Sequence, residues 1–169
     1  MLAPPPSGLA AELRLRHELA ALVRSGQAHA GPIALDGLRG ADAHRRVPGH
    51  AHTAFELVWH LRFAQDDILA FVRDPAYVAP PWPEAYWPAA ADAAAPGAWP
   101  EAVRSFRAGL AALEALAREA DLFAELPHAP GYTVLRELLL AADHNAHHLG
   151  QLIALRRALG AWPPPEERA

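Results

Sequence analysis

The sequence predicts an all-α fold, a four-helix bundle forming a single domain over residues 1–169. Three observations carry this. Four stretches place apolar residues at spacings of three and four, the period of a helix with one buried face. Segments rich in proline and glycine separate the first three of them, and capping signals open the second and the last. No stretch shows the alternation of a strand. A chain of 169 residues suits one domain, and 52% hydrophobic against 20% charged residues allows a buried core. Much of that hydrophobic share is alanine, which forms helix more than it fills a core.

The elements follow in order. Residues 1–6, with Pro4-Pro5-Pro6, read as a loose tail. Ser7 can cap a first helix running to about Gly26, with Leu9, Leu13, Leu19, Leu22 and Val23 as its apolar side. Residues 27–51 form a long connection with one short helical turn near Asp42. Thr53-Ala54-Phe55-Glu56 has the capping-box form, a hydroxyl followed three residues later by a carboxylate. The second helix it opens runs to about Arg73, with Leu57, Leu61, Ala64, Ile68 and Val72 as its apolar arc and Arg62 and Asp66 spaced for an ion pair. Residues 74–98 make a second long connection, in which Pro80-Pro81-Trp82-Pro83 is expected to be extended. Its aromatics, Tyr77, Trp82, Tyr86 and Trp87, predict a strap packed on the bundle, with a substrate-facing lid as the alternative. Proline in the first turn marks the third helix at Trp99-Pro100-Glu101, and Val103, Phe106, Leu110, Leu113 and Ala117 form its seam. Residues 121–130 read as a turn. Thr133 then caps a last helix ending near Gly160, followed by a loose tail at 163–169.

Composition excludes several functions. A net charge of −4 without a basic run argues against nucleic acid. The chain contains no cysteine, so disulfides, thiolate zinc sites and an internal thiol nucleophile are ruled out. The start lacks a signal-peptide pattern and no apolar run reaches membrane-spanning length, so a cytoplasmic protein that engages no membrane is expected.

The chemistry is concentrated in Asp143-His144-Asn145-Ala146-His147-His148-Leu149-Gly150-Gln151. His144 and His148 lie four residues apart and stack on one helix face, in a row with Leu140, Gln151 and Leu155. Arg136, Asp143, His147, Gly150 and Ala154 fall on another arc, expected to face solvent. Burying two imidazoles costs free energy unless their nitrogens find partners, and a divalent ion satisfies both. A third ligand should come from another helix. His60, in the middle of the second helix, is the first candidate and His52 the reserve; His17 is possible, and a His144–His147 pair is an alternative to His144–His148. Hydrogen-bonded core histidines or plain surface histidines are the competing reading of the whole set. Asp67, Glu56 and Gln151 are candidates for support or proton handling near the ion, with a plain capping role favoured for Glu56.

The segment His52-Thr53-Ala54-Phe55-Glu56-Leu57-Val58-Trp59-His60-Leu61-Arg62-Phe63-Ala64-Gln65-Asp66-Asp67-Ile68 resembles the second helix of the DinB-like proteins. The strap Pro80-Pro81-Trp82-Pro83-Glu84-Ala85-Tyr86-Trp87-Pro88 is similar to that of one DinB subfamily, and Asp143 to Gln151 resembles the last-helix motif of the family. The resemblance implies helices in up-down-down-up order and a divalent metal held by three histidines, here His60, His144 and His148. The family often has an aromatic where this chain has His147. Characterised relatives include S-transferases and an isomerase that use low-molecular-weight thiols such as bacillithiol or mycothiol.

The expected function is therefore a metal-dependent S-transferase in which the ion activates an external thiol toward a small electrophilic substrate, with Asp67 and Gln151 in support. Metal-dependent hydrolysis with water as nucleophile is the first alternative. A non-enzymatic, dimeric, stress-related bundle that binds a metal or ligand is the second. Imidazole ligands suit Zn, Ni, Cu or Fe, and Mn is a further candidate. A homodimer is expected because apolar residues cover most of the last helix.

Overall fold

The computed structural model describes residues 8–25 and 31–163. The Ser7 cap, the Gly26 stop, the loose start at 1–6 and the tail beyond Pro163 lie outside these residues. The described chain is mainly helical: α1 (Gly8–Ser25), a 3-10 turn (Gly31–Leu35), α2 (Gly40–Ala43), α3 (Ala54–Arg73), a 3-10 turn (Glu84–Tyr86), α4 (Ala90–Ala94), α5 (Ala98–Glu119), a hairpin of β1 (Glu125–Leu126) and β2 (Ala129–Thr133), and α6 (Val134–Ala158). Four of these helices are long. α5 packs against α1 and α3, and α6 also packs against α1 and α3. None of the described helices is long and apolar enough to cross a membrane.

The start of α3 follows from its sequence. Glu56 N–H donates to Thr53 Oγ1 at 3.2 Å, and Thr53 N–H donates to Glu56 Oε2 at 2.9 Å, so both halves of the capping box are made. Glu56 also pairs with Arg46 at 2.5 Å. These bonds settle its capping role and fix the start of the helix two turns before His60. Of the expected arc, Leu57, Leu61, Ala64 and Ile68 are buried and Val72 is half-buried, and Arg62 reaches Asp66 at 3.7 Å. Opposite it, α5 buries Phe106, Leu110, Leu113 and Ala117. Each fully buried leucine or phenylalanine contributes about 1.5–3 kcal/mol relative to exposure, so this seam outweighs any single polar contact on the surface.

One polar pair crosses the interior. Gln65 Nε2 donates to Asn145 Oδ1 at 3.4 Å, and both side chains are buried. Gly109 of α5 makes room for it, since a Cβ there would stand 2.2 Å from Gln65 Oε1. The far end of α6 is held by Arg156, which is wholly buried. Its guanidinium donates to the carbonyls of Ala34 at 2.5 Å, Asp36 at 2.6 Å and Ala161 at 2.8 Å, tying α6 to the turn before α2.

Several expectations are corrected. The stretch read as a turn, 121–130, contains most of a small antiparallel hairpin with Glu125 opposite Thr133 and Leu126 opposite Ala129. Only Leu126 of this hairpin is buried, so no alternating pattern could announce it. Gly131, with φ of +83°, supplies the backbone conformation that other residues rarely adopt. Thr133 closes the hairpin and also caps α6, accepting from Arg136 N–H at 3.2 Å. The first connection holds a 3-10 turn besides the predicted one near Asp42. In the strap, Pro83 turns (φ −90°, ψ −1°) into the Glu84–Tyr86 turn instead of staying extended. In α1, Leu19 and Val23 are buried, but Leu9 and Leu13 are 71% and 60% exposed.

Candidate metal centre

Two helices and the strap build the site. His60 lies in the middle of α3 and is 3% exposed. Its Nδ1–H donates to the carbonyl oxygen of Tyr86 at 2.8 Å, which leaves the lone pair of the neutral ring on Nε2. Trp87 stacks on the same ring with centroids 4.4 Å apart and also stacks on His52 at 3.7 Å. The strap therefore packs over α3, and its backbone sets the tautomer of His60.

α6 supplies His144 and His148, both half-buried. His148 Nδ1–H donates to Gln151 Oε1 at 2.8 Å, again leaving Nε2 with the lone pair. Gln151 in turn donates through Nε2 to His147 Nε2 at 3.1 Å. The Nε2 atoms of His60 and His144 stand 3.0 Å apart. One ring nitrogen from each of His60, His144 and His148 lies within 4.8 Å of the others.

The electrostatics favour neutral rings. Burial pushes the His144 imidazole down to about 3, helped by the neighbouring His148, His60 and His147. Burial also pushes His148 down to about 4, opposed by its bond to Gln151 and reinforced by His60, His147 and His52. His60 is lowered by burial, opposed by the Tyr86 carbonyl and helped by His52. Near pH 7 all three rings are unprotonated, the form that binds metals.

The donor set fits a divalent cation. A tetrahedral ion about 2.1 Å from each nitrogen separates pairs of ligands by roughly 3.4 Å, between the 3.0 Å of the close pair and the 4.8 Å span of the set. Two of the three rings have the Nδ1–H partner that typically orients a ligating histidine.

Other candidates are placed as follows. Asp67 touches none of the three rings. Its Oδ1 accepts from the Tyr77 hydroxyl at 2.7 Å and its Oδ2 from the Tyr86 hydroxyl at 2.6 Å. Burial and the Asp67 carboxylate raise the Tyr86 phenol to about 12 and raise Tyr77 as well, so both remain protonated donors. Tyr86 thus holds His60 with its carbonyl and Asp67 with its phenol. The sequence offers the strap's aromatics as packing or as a lid, not as a backbone partner for His60; their density beside the helix was the available signal for this role. His52 stays outside the cluster, 3.7 Å from the Glu56 carboxylate. His147 is exposed, as predicted, together with Arg136, Asp143, Gly150 and Ala154. Leu140 and Gln151, placed on the inward row, are exposed as well. His17 is exposed on α1, and His44 stacks on Phe55. A cavity of about 300 Å³ lies beside the cluster, lined by His60, Ala64, Asp67, Ile68, Trp82, Tyr86, Leu140 and His144.

Comparison with known families matches residues 32–152 to the DinB superfamily, a span that includes α3, the strap and the histidines of α6. Curated proteins and solved structures gave no significant match.

Proposed function

Because the chain belongs to the DinB superfamily, we propose that it is a divalent-metal-dependent enzyme, a thiol-dependent S-transferase whose metal ligands are His60, His144 and His148. The observation that carries this reading is the convergence of three neutral imidazoles, from α3 and α6, within 4.8 Å. When bound, a divalent cation supplies a Lewis acid that lowers the pKa of a thiol or water beside it. The chain's own residues orient and insulate that centre. Tyr86 and Gln151 fix the ring orientation of His60 and His148 by accepting their Nδ1–H groups. Trp87 covers one face of His60 and limits solvent there. Asp67, in the cavity wall with its carboxylate braced by two phenols, is the candidate for proton handling. With no cysteine in the chain, the attacking sulfur comes from a low-molecular-weight thiol.

We further read the four long helices as one bundle domain in up-down-down-up order. Two sets of neighbours support this. Gln65 lies beside Gly109 and Trp59 lines a pocket with Ala102, so α3 and α5 run the same way. Phe71 lies near Arg136 and His60 near His144, so α3 and α6 run oppositely.

The test is metal analysis of the purified protein together with thiol consumption against 1-chloro-2,4-dinitrobenzene, on wild type, His60→Ala and His148→Ala. The expected result is one equivalent of metal and metal-dependent thiol consumption in the wild type, both lost in the variants. Full metal content in both variants refutes the ligand set. Ester cleavage without thiol, with no thiol consumption, replaces transfer by hydrolysis.

A further inference from the structure

The cavity beside the histidines has an uneven chemistry. His60 and His144 form part of its wall, where the metal would sit. Asp67 and Tyr86 are its other polar residues, and they are already bonded to one another. The rest is Ala64, Ile68, Trp82 and Leu140. Two of these apolar residues are left open to solvent: Trp82 is 68% exposed and Leu140 is 44% exposed. Ile68, by contrast, is buried, so the apolar surface grades from exposed residues to the cluster. A volume of about 300 Å³ is at the small end of the ~300–1,000 Å³ typical of sites for small organic ligands.

From this we infer that the cavity between α3, the strap and α6 is the binding site for a compact apolar or aromatic substrate. The substrate carries one polar reactive end toward His60 and His144 and lays its apolar body on Ile68, Trp82 and Leu140. This deepens the proposed function and rests on it, because the polar end is taken to meet a metal at the histidines. The apolar lining selects against extended hydrophilic molecules, since a polar body there would lose its water without gaining partners. Trp82 offers a ring face for stacking, and Leu140 is placed on α6 one turn before His144, where it can cover the substrate from the opposite helix.

Two probes separate the head from the body. Imidazole and 4-phenylimidazole share the same donor, and only the second has an aromatic body, small enough to enter the cavity of about 300 Å³. Their binding to the zinc-loaded full chain is measured by isothermal titration, with zinc content determined on the same samples. Wild type is expected to bind 4-phenylimidazole at least 10-fold more tightly than imidazole. Leu140→Asp and Trp82→Ala, both at exposed positions, are expected to reduce that preference to 3-fold or less while zinc content and imidazole affinity stay within 2-fold. If imidazole binds but the phenyl group adds less than 2-fold in wild type, the substrate class is wrong and the metal reading stands. A preference that survives unchanged in both variants overturns the location of the body. Failure of the wild type to take up zinc overturns the metal reading and this inference with it.

Discussion

Gln151 offers a measurement of how a residue outside the proposed ligand set bears on metal binding at the cluster. Its Oε1 accepts the Nδ1–H of His148 at 2.8 Å, and its Nε2 donates to His147. Removing such a partner from a metal-ligating histidine typically costs 10–100-fold in affinity, or about 1.4–2.7 kcal/mol. Here the lower end applies, because Gln151 is exposed and His148 is half-buried, so water can take over the acceptor role. Gln151→Ala should therefore weaken zinc binding about 10-fold. Gln151→Glu should restore or exceed wild-type affinity, since a carboxylate is a stronger acceptor for the same N–H. The assay is competition with a chromophoric zinc chelator at pH 7.5, with His148→Ala as the reference for complete loss of that ligand. Affinity of Gln151→Ala within 2-fold of wild type, alongside a large loss in His148→Ala, would show that the 2.8 Å bond does not organise the ligand.

Three more outcomes follow from the packing and the charges. His144 and His148 have folded-state values of about 3 and about 4, below the usual 6.5, so the unfolded chain takes up more protons between those limits. Stability is therefore full above about pH 6.5 and falls as pH drops toward 4; thermal melts from pH 7.5 to 4.5 check this, and a Tm rising on acidification would contradict it. Gly109→Ala normally gains about 1 kcal/mol of helix propensity, but overpacking against the buried Gln65 costs roughly 1–3 kcal/mol. The net expectation is a neutral or lower denaturant midpoint, and a clear rise would mean that Gln65 moves aside freely. Arg156→Met strips the donors from the carbonyls of Ala34, Asp36 and Ala161, and losing charged hydrogen bonds at a buried site should cost at least ~3 kcal/mol in chemical denaturation.

Much of this architecture was legible because local signals and burial agree. Thr53 and Glu56 announce the start of α3, and the capping box is made as written. The spacing of His144 and His148 placed both on one face, and the helical period of α3 brought His60 toward them. The strap was harder. Tyr86 works through its carbonyl, and a backbone acceptor leaves no trace in residue identity. The hairpin was missed because a two-residue strand against a five-residue one buries a single leucine. Leu13 shares a helix face with the buried Ala20, yet it is exposed. The period of apolar residues reports which face is inward, not how far along the helix its neighbours reach. Arg156 shows the opposite failure: charge suggests solvent, while three carbonyls converging on one guanidinium make the interior favourable.

His60 and His144 are 84 residues apart in the chain, yet their ring nitrogens nearly touch. A cation held there acts as a reversible clasp across that whole length, joining the second of the four long helices to the last. Since only the folded chain presents the clasp, occupancy resists unfolding by mass action, and resistance to heat or proteolysis becomes a readout of free metal concentration.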